Sequence, residues 1–316
     1  MKTINEAAAW LQAHNDFLII THRRPDGDAT GCALALCLGL RSLGKTAWIW
    51  ANPQFTPRYA ARLDGLTTDT VAEDATVISV DMASETLLPI NGSDFAGKIL
   101  LSLDHHPSNT GYAAETLVQP ECGGCGELIW DLLEELGVDI TAEMAEAVYI
   151  AISTDTGCFR FANTTARTFR TAAKAAEHGA NIAPINRELF EIKSKGRLQL
   201  EARLMSGMEF YADGKVAIAC LPQTWVEELQ VTEDDLDSIS GFPRTVEGVC
   251  VGVLIRDSEP DRAKMSVRTA GGYDASAYCS KLGGGGHHAA AGCSIPGTLE
   301  TGKEAILQIL REYHIV

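Results

Sequence analysis

The sequence predicts an α/β protein of two lobes, a parallel-sheet N-terminal lobe followed by a smaller α/β C-terminal lobe, with a cleft between them. Three observations carry this expectation. Short β-branched or apolar runs alternate with helical patterns through the first half, the signature of a parallel sheet with covering helices. A charged helical stretch without a strand, INRELFEIKSKGRLQLEARLM, breaks that alternation around 185–208. The chain of 316 residues also exceeds the usual size of one domain built on a single core. The expected boundaries are 1–190 for the first lobe, 191–207 for a helical linker and 208–316 for the second lobe.

Taken in order, FLIIT (17–21) is the first buried strand and 30–43 the helix after it. Residues 46–50, TVISV at 76–80 and ILLSL at 99–103 are the next three strands. Helices are expected over 127–136, 142–152 and 166–178. In the second lobe the strands are 216–221, 248–255 and 264–268, with helices at 275–282 and 300–313. The acidic run 233–237 reads as a solvated helix face.

Composition removes several function classes. A net charge of −16 leaves no basic track for long nucleic acid, because such binding relies on Lys and Arg displacing counterions; short anionic substrates remain compatible. The start, MKTINEAAAWLQ, is amphipathic rather than signal-like, and the longest apolar run, near Cys32, is too short to span a bilayer. Nine scattered cysteines fit a reducing compartment, so the cytoplasm is expected. Cys122 and Cys125 have zinc half-site spacing without a second half, and the alternative is a small-residue turn ahead of a helix.

Chemistry concentrates at strand ends, where open α/β sheets bind ligands. The first strand runs into His22, Asp26 and Asp28; the third ends at Asp81; the fourth ends at Asp104, His105 and His106; Asp155 follows an apolar helix. Carboxylates crowded in this way repel one another unless divalent cations lie between them; imidazole with carboxylate suits a first-row transition metal, and the predominance of oxygen favours manganese or magnesium over zinc. Two ions would suit in-line displacement at phosphorus by hydroxide. Each element has a structural alternative: Asp28 as a helix cap, Asp81 and Asp104 as turn residues, and Asp155 in an Asx-turn.

Two further segments bear on the substrate. The glycine run in GGGGHHAAAG (283–292) lets backbone amides approach a phosphate, with His287 or His288 as a donor and Arg268 aimed at the same anion; a flexible linker and an exposed strand Arg are the alternatives. Phe159, Arg160 and Phe161 combine stacking rings with a cation, or else the two rings pack on one side of an edge strand.

At these residues the chain resembles the DHH phosphoesterase family, over nearly its whole length: HRRPDGDATG, the strand-ending Asp81, LDHHPSN, STDTGCFRFANT and GGGGHHAAAG occur in the family's order. The resemblance implies an N-terminal DHH domain and a C-terminal DHH-associated domain. It is nearest the nanoRNase branch, which degrades very short oligoribonucleotides and dephosphorylates adenosine 3′,5′-bisphosphate. It implies two Mn(II) ions, with Mg(II) or another divalent ion as alternatives. His22, Asp26 and Asp81 would hold one, and Asp28, Asp81, His105 and Asp155 the other. His106 would face the phosphate, Asp104 would orient a histidine, and Gly284, Gly285, His287 and Arg268 would grip the substrate. Cys32 and Cys158 stand where the family pattern often has a small residue such as Ser, which raises oxidation sensitivity as an expectation.

The expected activity is therefore hydrolysis of short RNA or DNA oligonucleotides or nucleotides, with no membrane partner and a homodimer as the default assembly. The rival readings are a cyclic or linear dinucleotide phosphodiesterase, a manganese pyrophosphatase, a single-strand exonuclease and a non-catalytic nucleotide sensor.

Overall fold

The run Phe17–Ile20 (β1) is buried at every position in the computed structural model, as a strand covered on both faces must be. The structure describes residues 1–236, 239–259 and 261–316; Asp237, which ends the expected acidic helix face, lies outside them. The chain divides into two units, Met1–Ile192 and Lys193–Val316.

In the first unit the elements run α1 (Ile4–Ala13), β1, α2 (Gly27–Ser42), β2 (Ala47–Trp50), α3 (Pro57–Ala60), β3 (Thr67–Thr68), β4 (Thr76–Val80), β5 (Leu101–Asp104), β6 (Glu115–Val118), α4 (Cys125–Glu135), α5 (Ala142–Asp155), α6 (Ala166–Glu177) and α7 (Ile182–Asn186). The six strands form one parallel sheet in the order β3-β2-β1-β4-β5-β6. From β1 the chain winds outward through β2 and β3; it then returns to β4 on the other side of β1 and winds the opposite way. The sheet therefore reverses direction between β1 and β4, and the carboxyl ends of such a strand pair open a natural ligand crevice.

Helix α2 is buried along most of its length, and Gly31 explains how closely it approaches α5: a Cβ there would lie 2.2 Å from the Ala147 carbonyl oxygen. The helix begins at Gly27, three residues before the expected start, because Asp26 is its N-cap and accepts from the Ala29 amide at 3.1 Å.

The second unit carries α8 (Lys195–Ser206), β7 (Glu209–Tyr211), β8 (Val216–Leu221), α9 (Gln223–Glu228), α10 (Glu233–Leu236), β9 (Val251–Glu259), β10 (Arg262–Thr269), α11 (Ala275–Ser280), β11 (Gly285–His287), β12 (Ala290–Pro296) and α12 (Leu299–Glu312). Its sheet runs β11-β12-β10-β9-β8-β7, antiparallel except for the β8–β9 pair. One face packs Val253, Val267, Ile306 and Leu310 together; the other packs Leu221 and Leu254 with Leu200 and Leu204 of α8.

The charged stretch expected as a linker is thus divided. Arg187–Glu191 forms a π-helical turn in the first unit, whereas α8 belongs to the core of the second, because Leu200 and Leu204 fall on one helical face. The glycine run, read from sequence as a phosphate-approaching segment or a flexible linker, ends in strand β11, paired to β12. Among the described residues no helix is long and apolar enough to cross a membrane.

Candidate metal centre

Every residue expected to hold metal lies at the end of an element. His22 follows β1, Asp26 caps α2, Asp28 sits in its first turn, Asp81 follows β4, His105 and His106 follow β5, and Asp155 is the last residue of α5. Asp81 adopts the left-handed conformation, φ 52°, while its amide still donates to the Leu103 carbonyl at 2.9 Å. A non-glycine residue pays for that conformation with strain, and here it turns the carboxylate at the edge of the crevice.

Three sets of ligand atoms gather within 4.8 Å: His22, Asp26 and Asp81; Asp28, His105 and Asp155; and Asp81, His105 and His106. Asp81 joins them. Its Oδ2 lies 3.8 Å from His22 Nε2, and its Oδ1 lies 3.5 Å from His105 Nε2 and 3.6 Å from His106 Nδ1. His22 Nε2 is also 3.8 Å from Asp26 Oδ1, and His105 Nε2 is 3.8 Å from Asp28 Oδ2 and 3.9 Å from Asp155 Oδ2.

His22 and His105 are oriented so that each could serve as a ligand. His22 Nδ1 lies 2.8 Å from the Arg23 carbonyl and His105 Nδ1 lies 3.2 Å from the Cys122 carbonyl. A carbonyl only accepts, so each Nδ1 carries the proton and each Nε2 presents a lone pair to the carboxylates. Asp81 Oδ1 and His105 Nε2 are buried and have no hydrogen-bond partner. Two buried acceptors facing each other without a donor fit a cation, and the mixed carboxylate and imidazole set fits a first-row divalent ion.

The electrostatics agree. Burial, and then the charge of Asp26, push Asp28 up to about 6; burial, and then Asp28, push Asp155 up to about 7. Asp81 is driven well above the carboxylate range by burial and by Asp28 and Asp26. Asp104 behaves oppositely: burial alone would raise it, but the hydrogen bond from His106 and the other donors around it hold it below its ordinary value. The same contact raises His106 against the effect of its own burial. Neighbouring groups with divergent pKa values mark an acid–base site.

Cys122 and Cys125 flank the turn that opens α4, as the small-residue reading expected, and the turn serves the centre directly. Cys125 and Gly126 donate their amides to Asp28 at 2.6 and 3.0 Å, and a Cβ on Gly124 would lie 3.0 Å from Asp28 Oδ2.

Family models match both units: the DHH family N-terminal domain over residues 16–152 and the DHHA1 domain over 213–314. The chain belongs to the DHH family of phosphoester hydrolases. It is 34% identical over 302 residues to the bifunctional oligoribonuclease and PAP phosphatase NrnA of Thermus thermophilus, covering 93% of this chain and 89% of that one. It is 25% identical to the protein of the same name from Bacillus subtilis, with 93% of each chain covered. An exopolyphosphatase-related protein from Bacteroides fragilis shares the fold, with a TM-score of 0.86 at 23% identity over 98% of this chain and 96% of that one. Thermus thermophilus RecJ, solved in complex with Mn2+, superimposes with a TM-score of 0.53 at 15% identity, covering 98% of this chain and 54% of that one.

The DHH triplet that names the family, and Asp155, are held in part by two asparagines that lie inside the motifs LDHHPSN and STDTGCFRFANT but were given no role in the motif reading. Asn109 donates to Asp104 Oδ2 at 2.7 Å, the His105 and His106 amides donate to Asp104 Oδ1, and Asn163 donates to Asp155 Oδ2 at 3.0 Å. Their signal is faint, two asparagines in the turns after ligand segments. Of the aromatic segment, Phe159 lies in a tight turn rather than on an edge strand, with one ring face stacked on Phe169 at 5.5 Å. Arg160 donates to the Gly157 carbonyl, and Phe161 is half exposed.

In the DHHA1 unit, Arg268 pairs with Ala290 across β10–β12 and Ala290 pairs with His287 across β12–β11, so Arg268 and His287 share a rung and a sheet face. Arg268 is half-buried and donates to Ser240 Oγ at 2.8 Å, while His287 is exposed.

Proposed function

We propose that this protein hydrolyses very short oligoribonucleotides and adenosine 3′,5′-bisphosphate at a two-manganese centre. The observation that carries the reading is Asp81, whose two carboxylate oxygens face histidines of different ligand sets. His22 and Asp26 with Asp81 would hold one ion; Asp28, His105 and Asp155 with Asp81 would hold the other. When bound, the ions supply positive charge that polarises a phosphoryl oxygen and lowers the pKa of water. The names of the relatives support the substrate class, and the ion found in a protein of the same fold supports manganese.

The chain's own groups supply the rest. His106 donates its Nδ1–H to Asp104 at 2.8 Å, a contact that favours the imidazolium, and in that form its Nε2–H would face the phosphate and give its proton to the leaving oxygen. Asp104 orients that ring. In the DHHA1 unit, Arg268, His287 and the amides of Gly284 and Gly285 recognise the substrate's phosphate, and Arg160 with Phe159 assists recognition in the DHH unit. A grip built from few cations in a chain of net charge −16 limits the substrate to short lengths. The nine free thiols support a reducing, cytoplasmic setting.

The test is a Mn(II)-loaded panel of 5′-phosphorylated di-adenylate, adenosine 3′,5′-bisphosphate, pyrophosphate and a long single strand. Turnover of the first two, lost on Asp81→Ala, is expected. Exclusive turnover of pyrophosphate or of the long strand overturns the substrate class, and binding without hydrolysis identifies a sensor.

A further inference from the structure

Asp28 is almost completely buried, and both of its oxygens are accounted for by named donors. Oδ1 accepts from the Gly126 amide at 3.0 Å and from the Cys32 thiol at 3.2 Å. Oδ2 accepts from the Cys125 amide at 2.6 Å and is the oxygen that lies 3.8 Å from His105 Nε2. A carboxylate oxygen offers about two in-plane lone-pair sites. Oδ1 therefore has none left, and Oδ2 has one.

We propose that Cys32 is a positioning residue for the metal centre: its thiol occupies the last free lone pair of Asp28 Oδ1, so that Asp28 binds a divalent ion through Oδ2 alone. The inference rests on the metal-centre reading above and adds to it a reason for Cys32.

The thiol is suited to this role. The side chain is fully buried with its Sγ 3.2 Å from a carboxylate oxygen that can only accept, which is the geometry of an S–H donor. Cys32 lies one helical turn after Asp28 on α2, at the spacing that places two side chains on one face. The α4 amides approach from another element, so the carboxylate is held from two directions and its rotamer is fixed before any ion arrives. Without the thiol, Oδ1 regains an acceptor site and the carboxylate can chelate with both oxygens, the mode that Ca(II) tolerates better than smaller ions.

The experiment uses the full chain, stripped of metal, with Cys32→Ala and Cys32→Ser. Mn(II) is titrated with free ion followed by electron paramagnetic resonance, and Ca(II) is added as competitor; no substrate is present, so a wrong substrate assignment leaves the result untouched. Cys32→Ala is expected to weaken one of the two Mn(II) sites by about 10-fold, as removal of an outer-sphere partner does, and to let Ca(II) compete more strongly. Cys32→Ser restores a donor and is expected to recover wild-type binding. Wild-type Mn(II) affinity in Cys32→Ala overturns the proposal, and so does a Cys32→Ser variant as weak as Cys32→Ala, because that pattern reports packing and not donation. Thermal melting in chelator separates the two effects: a lower melting temperature with unchanged Mn(II) affinity also counts against it. Should Cys32→Ala fail to fold, Cys32→Val, which fills the space without a donor, takes its place in the comparison.

Discussion

Asp104 Oδ1 and His106 Nδ1 lie 2.8 Å apart, and this contact moves the two pKa values in opposite directions. Asp104 is fully buried and is itself a member of none of the three ligand sets, while it touches His106 of one of them, the arrangement of a group that would act through the ring it holds.

Asp104→Asn should therefore retain both metal ions and lose turnover. The neutral amide can present a donor to Nδ1, which favours the wrong tautomer of His106, and kcat is expected to fall by about 100-fold with little change in KM. Metal content by elemental analysis beside steady-state kinetics on di-adenylate checks this; loss of metal in the variant would place Asp104 in the ligand set instead.

Asp81→Asn should separate stability from function. Asparagine tolerates the left-handed backbone at this position, so the fold is kept. Removing a buried carboxylate that Asp28 and Asp26 repel should raise the melting temperature of the metal-free protein by a few degrees. Mn(II) binding and turnover should both be lost, with kcat reduced by at least about 1000-fold.

The metal-free protein should lose stability as pH rises. Asp28 at about 6 and Asp155 at about 7 stand above their ordinary value of 3.8, so the folded state binds more protons than the unfolded state. The slope of stability against pH is then negative: these two contributions are fully present only below 3.8, fall as pH rises from there, and are lost once pH has passed about 6 for Asp28 and about 7 for Asp155. Melting in chelator between pH 5 and 8 should show the decline, and saturating Mn(II) should remove it. A flat profile in chelator would contradict the crowding of the carboxylates.

The sequence disclosed the strand-end histidines and aspartates that the structure gathers, because a buried strand followed at once by His or Asp is a pattern along the chain. It could not disclose what holds them. The α4 amides reach Asp28 from 97 and 98 residues away, and Asn163 reaches Gly123 as well as Asp155 only after α5 has folded between them. Helix capping was posed as the alternative to ligation for Asp28, yet the cap of α2 is Asp26, whose Oδ1 also stands 3.8 Å from His22 Nε2. Strand β11 was illegible for a different reason: glycine has low strand propensity, and only the register against β12 makes it a strand.

The hairpin glycines should differ in kind. A Cβ on Gly284 would lie 2.2 Å from the Gly292 carbonyl oxygen, and one on Gly286 would lie 2.6 Å from the Ala290 carbonyl oxygen, so alanine at either should destabilise the DHHA1 unit. A Cβ on Gly285 meets nothing within 4 Å. Gly285→Ala should therefore melt like the wild type and yet raise KM for di-adenylate by about tenfold, or about 1.4 kcal/mol, if a phosphate approaches that amide. Unchanged KM would remove Gly285 from the recognition set.

The amides of α4 that rest on Asp28 change what its presence means in any related chain. A descendant that had abandoned hydrolysis would still need that carboxylate to close the end of a buried helix, just as it would need Asp26 to begin α2. Asp81 Oδ1 and His105 Nε2 answer to no structural partner at all. Among relatives of uncertain activity, those two positions are less tied to the fold than Asp26 and Asp28, and their survival is the sharper sign of a working enzyme.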